Sequence, residues 1–219
     1  MDNLKEILEK AKSAFGAKDY QTAFEIWKSL AEQRNAEAQF NLGRMYSYGR
    51  GVKENHKKAV KWYQLAGEQG NAEAQFNCGL MHHNGLGVKQ DHKEAVKWYQ
   101  LAGEQGNAEA QINLGRMYAN GRGVLKDYKE AVKWYQLAGE QGNAEAQINL
   151  GRMYANGRGV LKDYKEAVKW YQLAAEQGNA EAQFNCGLMH HNGLGVKQDH
   201  KEAVKWYQLA GEQGNAEAQ

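Results

Sequence analysis

A 36-residue unit repeats through most of this chain, and the repetition limits the possible folds more than any other feature. Each copy begins with AEAQ and ends with EQGN. Successive copies span 36–71, 72–107, 108–143, 144–179 and 180–215, and residues 216–219 begin a sixth. A fixed period of this length is typical of proteins built from stacked supersecondary units, because one unit cannot bury its apolar face alone.

Each copy contains the signals of two helices, which glycine must separate because the chain of 219 residues has no proline. Asn71 is a favourable N-cap for the first helix of its unit, and Gly85 can end that helix in a left-handed conformation. The second helix begins with the spacing of a capping box, in which two side chains satisfy backbone donors reciprocally. The box occurs at Asp91 and Glu94, Asp127 and Glu130, Asp163 and Glu166, and Asp199 and Glu202, whereas Asn55 with Lys58 departs from it.

Helical periodicity defines the buried face of the first helix. In the 108–143 unit it comprises Ala110, Gln111, Leu114, Gly115, Met117, Tyr118 and Gly121. Gly115 would let a neighbouring helix approach closely, and the tryptophans that recur at the period would pack between hairpins. We therefore predict an all-α fold, a right-handed α-solenoid of antiparallel helix hairpins. Residues 1–35 align in their second half with the repeat and are predicted to form an N-terminal capping hairpin.

The letters of the unit carry a family resemblance. A-E-A-Q-x-N-L-G-x-M-Y-x-x-G-x-G-V followed by D-x-K-E-A-V-K-W-Y-x-x-A-x-E-x-G resembles the Sel-one-like repeat, a relative of the tetratricopeptide repeat. The match covers residues 36–215, and residues 1–35 resemble the plainer tetratricopeptide hairpin. This resemblance implies a non-catalytic scaffold or adaptor whose first helices form a concave surface that binds a protein or peptide. Secreted cysteine-rich relatives staple each repeat with a disulfide, but these repeats hold at most one cysteine each.

The side of the first helices opposite their buried face is the predicted partner-binding surface. Asparagine offers donors and acceptors to a peptide backbone, and arginine can bind a carboxylate through two parallel hydrogen bonds. The predicted residues are Asn41, Arg44, Tyr48, Asn77, Leu80, Asn113, Arg116, Asn120, Asn149, Arg152, Asn156 and Asn185. Asparagine is a mediocre helix former, so ligand binding or hydrogen bonds between repeats must offset its cost. The alternative is that these residues are only a solvated surface.

Cysteine and histidine are spaced like metal ligands in two of the units. Cys78 and His82 lie four residues apart on one helix side, with His92 across the hairpin, and the set recurs as Cys186, His190 and His200. Leucine and tyrosine occupy the same positions elsewhere, and a closed zinc site requires four ligands. We therefore interpret these residues as core substitutions and predict no metal and no cofactor, with a metal-binding module as an alternative.

Composition excludes several other functions. A net charge of +2 without clustering does not favour nucleic acid, and no apolar run reaches the roughly 18 residues of a membrane helix. The charged start is unlike a signal peptide, and two free thiols suit a reducing compartment, so we expect a cytoplasmic protein. Neither a nucleophile motif nor a phosphate-binding loop is present, and we expect no enzyme activity.

The copies are unusually alike. Residues 72–107 recur letter for letter at 180–215, and the 108–143 and 144–179 units differ only at Gly139 and Ala175. Recent duplication or deliberate assembly would explain this, and a structural array without a dedicated ligand is therefore the alternative function. The end at AEAQ lacks a polar terminal helix, which predicts an open apolar face including Trp206, Tyr207 and Ala210. That face suggests a truncated array or self-association.

Overall fold

A computed structural model describes residues 2–213, with side chains from Leu4 onward, and every regular element in this range is an α-helix. The helices are Asp2–Gly16 (α1), Tyr20–Glu32 (α2), Ala36–Tyr48 (α3), His56–Glu68 (α4), Ala72–Asn84 (α5), His92–Glu104 (α6), Ala108–Asn120 (α7), Tyr128–Glu140 (α8), Ala144–Asn156 (α9), Tyr164–Glu176 (α10), Ala180–Asn192 (α11) and His200–Glu212 (α12). Successive pairs pack as hairpins, which confirms the predicted all-α repeat fold. Residues 216–219, the start of the sixth copy, lie outside the described range.

The chain divides into two compact units, Met1–Ala110 and Gln111–Gln219. In the first unit, α3 packs against both α2 and α4, and α5 packs against both α4 and α6. In the second unit, α9 contacts α8 and α10, and α11 contacts α10 and α12. Each of these four first helices therefore lies between the second helix of its own hairpin and that of the preceding one.

The predicted caps of the first helices are present. The side-chain oxygen of Asn71 accepts a hydrogen bond from the Ala74 amide at 2.8 Å, and Gly85 ends α5 with φ of 70°. Asn35, Asn107, Asn143 and Asn179 make the same cap at 2.9 to 3.1 Å. These helix ends are specified by local sequence, because each depends on a residue next to the helix that it limits.

The second helices are capped differently from the predicted box. Asp91 accepts hydrogen bonds from the amides of both Lys93 and Glu94, at 2.9 and 3.0 Å. The reciprocal bond is absent from this cap, because Glu94 pairs with Lys97 and the Asp91 amide donates to the His82 carbonyl at 2.9 Å. The prediction of a reciprocal box was therefore wrong here. The cap amide instead joins the two helices of the hairpin.

Glycine on the first helix accommodates a tyrosine ring from the second helix. A Cβ atom at Gly43 would lie 2.7 Å from Cδ1 of Tyr63, and Gly115 faces Tyr135 in the same way. The predicted close approach is therefore made by an aromatic side chain. Ala110, Gln111, Leu114, Gly115 and Met117 are buried as predicted, Tyr118 is half-buried, and Gly121 is exposed because it ends the helix.

Tryptophan packs between consecutive hairpins, as predicted. A Cβ atom at Gly67 in α4 would lie 2.9 Å from Cζ3 of Trp98 in α6, and one at Gly139 in α8 would lie 3.2 Å from Cζ3 of Trp170 in α10. Glycine near the end of α4 and of α8 therefore leaves room for the indole of the next second helix.

A buried glutamine joins three helices in each described repeat junction. Gln147 donates from Nε2 to the Gly139 carbonyl at 3.0 Å and accepts from Nε2 of Gln177 at 2.8 Å. Gln39, Gln75 and Gln183 make equivalent pairs of bonds. The side-chain amide thereby gives a helix-end carbonyl a second donor, since the Gly139 carbonyl also accepts from the Gly142 amide at 3.0 Å.

The inter-helix loop rests on the preceding hairpin. At Gly51, which has φ of 72°, an added Cβ would lie 2.8 Å from the Tyr20 carbonyl oxygen. Gly159 contacts the Tyr128 backbone and Gly195 the Tyr164 backbone in the same manner. The positive φ and the close contact both require glycine, so this residue fixes the loop against the start of the preceding second helix.

One expectation about the last hairpin was wrong. Ala210 is fully buried, like Ala66, Ala102, Ala138 and Ala174 at the same position of earlier units. Trp206 and Tyr207 are half-buried.

Candidate protein-binding site

A polar cleft of about 600 Å³ lies on the outer surface of α7 and α9 in the second unit. It is lined by Arg116, Ala119, Asn120, Lys126, Tyr128, Tyr135, Asn149, Arg152, Met153, Asn156 and Arg158. Five of the predicted partner-binding residues thus lie together, namely Arg116, Asn120, Asn149, Arg152 and Asn156. A sixth, Asn113, lies beside them and accepts a hydrogen bond at 3.4 Å from Nη1 of Arg116.

The two arginines of the first helices bind carboxylates of the following repeat. Arg116 forms an ion pair with Glu145, and Arg152 forms the equivalent pair with Glu181. All four side chains are about half exposed to solvent. Exposed pairs contribute roughly 0–1 kcal/mol, so a carboxylate from a partner can compete for these guanidinium groups.

Two further cations surround Tyr128 at the start of α8. Nζ of Lys126 lies 4.8 Å from the centre of the ring, and Cζ of Arg158 lies 5.7 Å from it. A hydrogen bond from Lys126, together with the positive charges of Lys126 and Arg158, lowers the pKa of the Tyr128 phenol. Arg158 reaches this ring because Gly159, the next residue, contacts the Tyr128 backbone.

The floor of the cleft includes Tyr135. Burial raises the pKa of this phenol to about 12, although the charges of Arg116 and Arg152 act in the opposite direction. Tyr135 therefore stays neutral at physiological pH and offers an aromatic surface below the cationic rim.

Asparagine on the first helices bonds within its own helix. Nδ2 of Asn41, Asn77 and Asn185 donates to the carbonyl four residues earlier, at 3.0, 2.7 and 2.9 Å. Asn120 and Asn156 do the same, each at 2.8 Å. These bonds offset part of the low helix propensity of asparagine without a ligand and without the next repeat. Each amide still has a second N–H and its oxygen.

The first unit uses the same positions differently. Arg44 is half-buried, and its Cζ lies 5.7 and 5.6 Å from the ring centres of Phe15 and Phe40. Tyr48 is 60% exposed, with the Arg50 guanidinium above its ring. Leu80 is half-buried, whereas Asn41 is buried. Asn41, Arg44 and Leu80 are therefore partly or fully covered by packing, whereas Tyr48 is exposed.

The candidate metal ligands are separated by packing. Cys78 and Cys186 are fully buried free thiols, and burial raises both pKa values, that of Cys186 to about 12. This disfavours the thiolate that binds metal. His92 packs against His83, and His200 against His191, with ring centres 4.9 and 5.0 Å apart. In residues 2–213 no group of three histidine, cysteine or acidic side chains could hold a metal ion, so Cys78, His82 and His92 do not form one, nor do Cys186, His190 and His200.

Sequence reasoning missed the ion-pair partners of the two arginines and two of the residues that line the cleft. Glu145 and Glu181 occupy the second position of the repeat, and the sequence did not show that an arginine 29 residues earlier contacts each of them. Lys126 and Tyr128 belong to the loop and the start of α8, where the only signal was their recurrence at the period as Lys162 and Tyr164.

Stacked helix hairpins of 36 residues place this chain among the α-helical repeat proteins. The model of the Sel1 repeat matches residues 36–71, 72–107, 108–143, 144–179 and 180–215. The chain therefore belongs to the Sel1 repeat family.

Solved structures agree with this assignment. A protective antigen of uropathogenic Escherichia coli that displays an SLR fold is 38% identical, with a TM-score of 0.94 over 98% of this chain and 47% of that chain. A Sel1 repeat protein from Oxalobacter formigenes is 37% identical, with a TM-score of 0.91 over 96% of this chain and 87% of that one. A sel1-like repeat-containing protein of Acanthamoeba polyphaga mimivirus is 54% identical over 39 residues, 18% of this chain and 7% of that protein. The chain thus spans less than half of the first and third of these proteins.

Sel1 repeat proteins generally mediate protein–protein interactions. Between Asp2 and Gln213, no helix combines the length and the apolar character needed to cross a bilayer.

Proposed function

We propose that this chain is a non-catalytic scaffold that binds a protein or peptide segment on the concave face formed by its first helices. The cleft of α7 and α9 is the observation that carries this proposal, because it gathers five of the twelve predicted residues around a concave, polar surface. The general role of the family supports the same function. In this proposal residues 1–35 cap the array, and the protein is cytoplasmic, in keeping with its two free thiols.

A structural array without a dedicated ligand is the second candidate. The pairs of Arg116 with Glu145 and Arg152 with Glu181 favour it, because they give the arginines a role in joining repeats. The identity of residues 72–107 with 180–215 favours it as well, since duplicated units have had little time to specialise.

Affinity capture with two charge-reversed variants separates these functions. The test variant carries Arg116→Glu and Arg152→Glu, and the control carries Lys133→Glu and Lys169→Glu on the second helices. The control lysines are also exposed and also ion-paired, with Glu130 and Glu166, so both variants lose two salt bridges and change charge equally. Circular dichroism first establishes that both variants are helical.

A scaffold predicts that mass spectrometry identifies a protein captured by the intact chain and by the control but lost from the test variant. Recovery of the same proteins by all three chains would instead favour the structural array.

A further inference from the structure

The cleft of α7 and α9 carries positive charge that the protein does not neutralise. Arg116, Lys126, Arg152 and Arg158 line it, and no carboxylate residue does. Arg116 and Arg152 each contact one glutamate of the next repeat. Lys126 and Arg158 form no ion pair with a carboxylate in the part of the chain that the structure describes, and contact the Tyr128 ring instead. Two cations therefore remain uncompensated at one rim.

These cleft residues come together at one junction between repeats, that of 108–143 with 144–179. The cleft needs Arg116, Lys126 and Tyr128 from one repeat, and Arg152 and Arg158 from the next. At the junction of 144–179 with 180–215, leucine replaces both arginines of the second repeat, at Leu188 and Leu194. At the junction of 36–71 with 72–107, the equivalent residues are Arg44, Glu54, His56, Leu80 and Leu86. The cationic cleft is therefore not a general consequence of the repeat.

We propose that this cleft binds an acidic peptide segment and holds two of its neighbouring aspartate or glutamate side chains between Lys126, Arg158 and the two first-helix arginines. This rests on the proposed scaffold function and names the chemistry of the partner. Guanidinium groups bind carboxylates through two parallel hydrogen bonds, and the second N–H groups of Asn120 and Asn156 can pair with peptide carbonyls.

A peptide fits this site better than a nucleic acid. The chain has a net charge of only +2, so no extended basic surface would follow a phosphate backbone. Tyr135, Met153 and Ala119 contribute an apolar floor below the cations. Such a floor suits the methylene groups of glutamate side chains.

Fluorescence anisotropy with a defined probe tests the proposal. The probe is a labelled peptide with four consecutive glutamates between serine–glycine flanks, compared with the same peptide carrying glutamines and with a labelled single-stranded oligonucleotide. The test variant is Lys126→Gln with Arg158→Gln. The control is Lys162→Gln with Arg122→Gln, which changes the same residue types at the same repeat positions outside the cleft.

The glutamate peptide should bind the intact chain and the control alike, and should bind the test variant about tenfold more weakly. Binding should also weaken as NaCl rises from about 0.05 to about 0.5 M, because the site is exposed. Equal weakening in both variants, no binding by the intact chain, or tighter binding of the oligonucleotide would each overturn the proposal.

The capture experiment keeps the two proposals distinct. If the glutamate peptide fails but a protein is still lost on changing Arg116 and Arg152 to glutamate, the scaffold function stands and only the acidic class of partner is wrong. If both experiments fail, the scaffold function fails as well.

Discussion

Single residues in this array owe their identity to one contact in the neighbouring repeat. Gly139 leaves room for Cδ1 of Leu150, which would lie 3.1 Å from an added Cβ. At the next junction the chain has Ala175 in place of the glycine and the smaller Cys186 in place of the leucine, and both are buried in one cluster. The single difference between two otherwise identical units is thus matched by a change in the residue that it faces.

This pairing predicts a coupled effect on stability. Cys186→Leu alone should lower the free energy of unfolding by about 1–3 kcal/mol, because the larger side chain meets the Ala175 methyl group. Adding Ala175→Gly should recover part of that loss, with a coupling of about 0.5–3 kcal/mol, since the junction then resembles Gly139 with Leu150. Urea unfolding of the two single variants and the double variant measures the coupling. Strictly additive effects would contradict it.

The buried glutamine gives a second prediction for single residues. Gln147→Leu removes two hydrogen bonds, one to the Gly139 carbonyl and one from the Gln177 amide, and at about 0.5–1.5 kcal/mol for each bond it should cost about 1–3 kcal/mol of unfolding free energy. Gln136→Leu, on the exposed side of α8, should change stability by less than about 0.5 kcal/mol. Chemical denaturation compares the two, and similar losses would show that the buried amide bonds contribute nothing specific.

At the level of helices, sequence predicted most of the fold because helix ends are decided locally. Asn71 and Gly85 limit α5 as expected, since a cap acts on amides within three residues of it. The reciprocal capping box failed for a non-local reason: the amide of Asp91 bonds to His82 at the end of the preceding helix. Spacing along one helix does not reveal such a competing acceptor.

The caps of the second helices predict a dependence of stability on pH. Hydrogen bonds from backbone amides, that of Glu94 first for Asp91 and that of Glu202 first for Asp199, lower the pKa of both carboxyls. A carboxyl whose pKa is lowered by folding stabilises the fold above its unfolded pKa of about 3.9, and this stabilisation is lost as pH falls through the folded pKa. The unfolding temperature should therefore fall below about pH 4.

Asparagine in place of Asp91 and Asp199 should reduce this fall in unfolding temperature at low pH. Asn55 already caps α4 by accepting from the Lys58 amide at 3.0 Å, and an asparagine does not titrate. Asp91→Asn with Asp199→Asn should thus lose less in unfolding temperature at low pH than the unmodified chain, as measured by circular dichroism. The control, Glu32→Gln with Glu212→Gln, also removes two carboxylates, but these lie at the ends of helices that they do not cap. Parallel pH curves for all three chains would argue against the capping carboxylates as the cause.

In the array as a whole, the residues that line the cleft depend on the order of the repeats, and this is where sequence reasoning reached its limit. The period showed that Arg116 and Arg152 are equivalent, but not that each reaches a glutamate 29 residues later or that Lys126 and Arg158 meet at Tyr128. Those distances depend on how one hairpin stacks on the next. A helical wheel describes the direction of a side chain around one axis only.

Deleting single repeats should therefore separate folding from binding. Removing 144–179 joins 143 to 180 and brings Leu188 and Leu194 to the positions of Arg152 and Arg158, so two of the four cations of the cleft are lost. Removing 72–107 deletes the same number of residues but keeps all four. Both deletions preserve the register of the period, and both chains should remain helical and unfold cooperatively, at somewhat lower denaturant concentration than the full chain.

The glutamate peptide should bind the chain without 72–107 as it binds the full chain, and should bind the chain without 144–179 about tenfold more weakly. Anisotropy titrations on samples whose helicity has been checked measure this difference. Retention of binding by both deletions would place the site on a feature that every repeat shares, such as the asparagine ladder of Asn41, Asn77, Asn113, Asn149 and Asn185. Loss from both, with folding intact, would show that the residues of one cleft are not sufficient and that the length of the array contributes to binding.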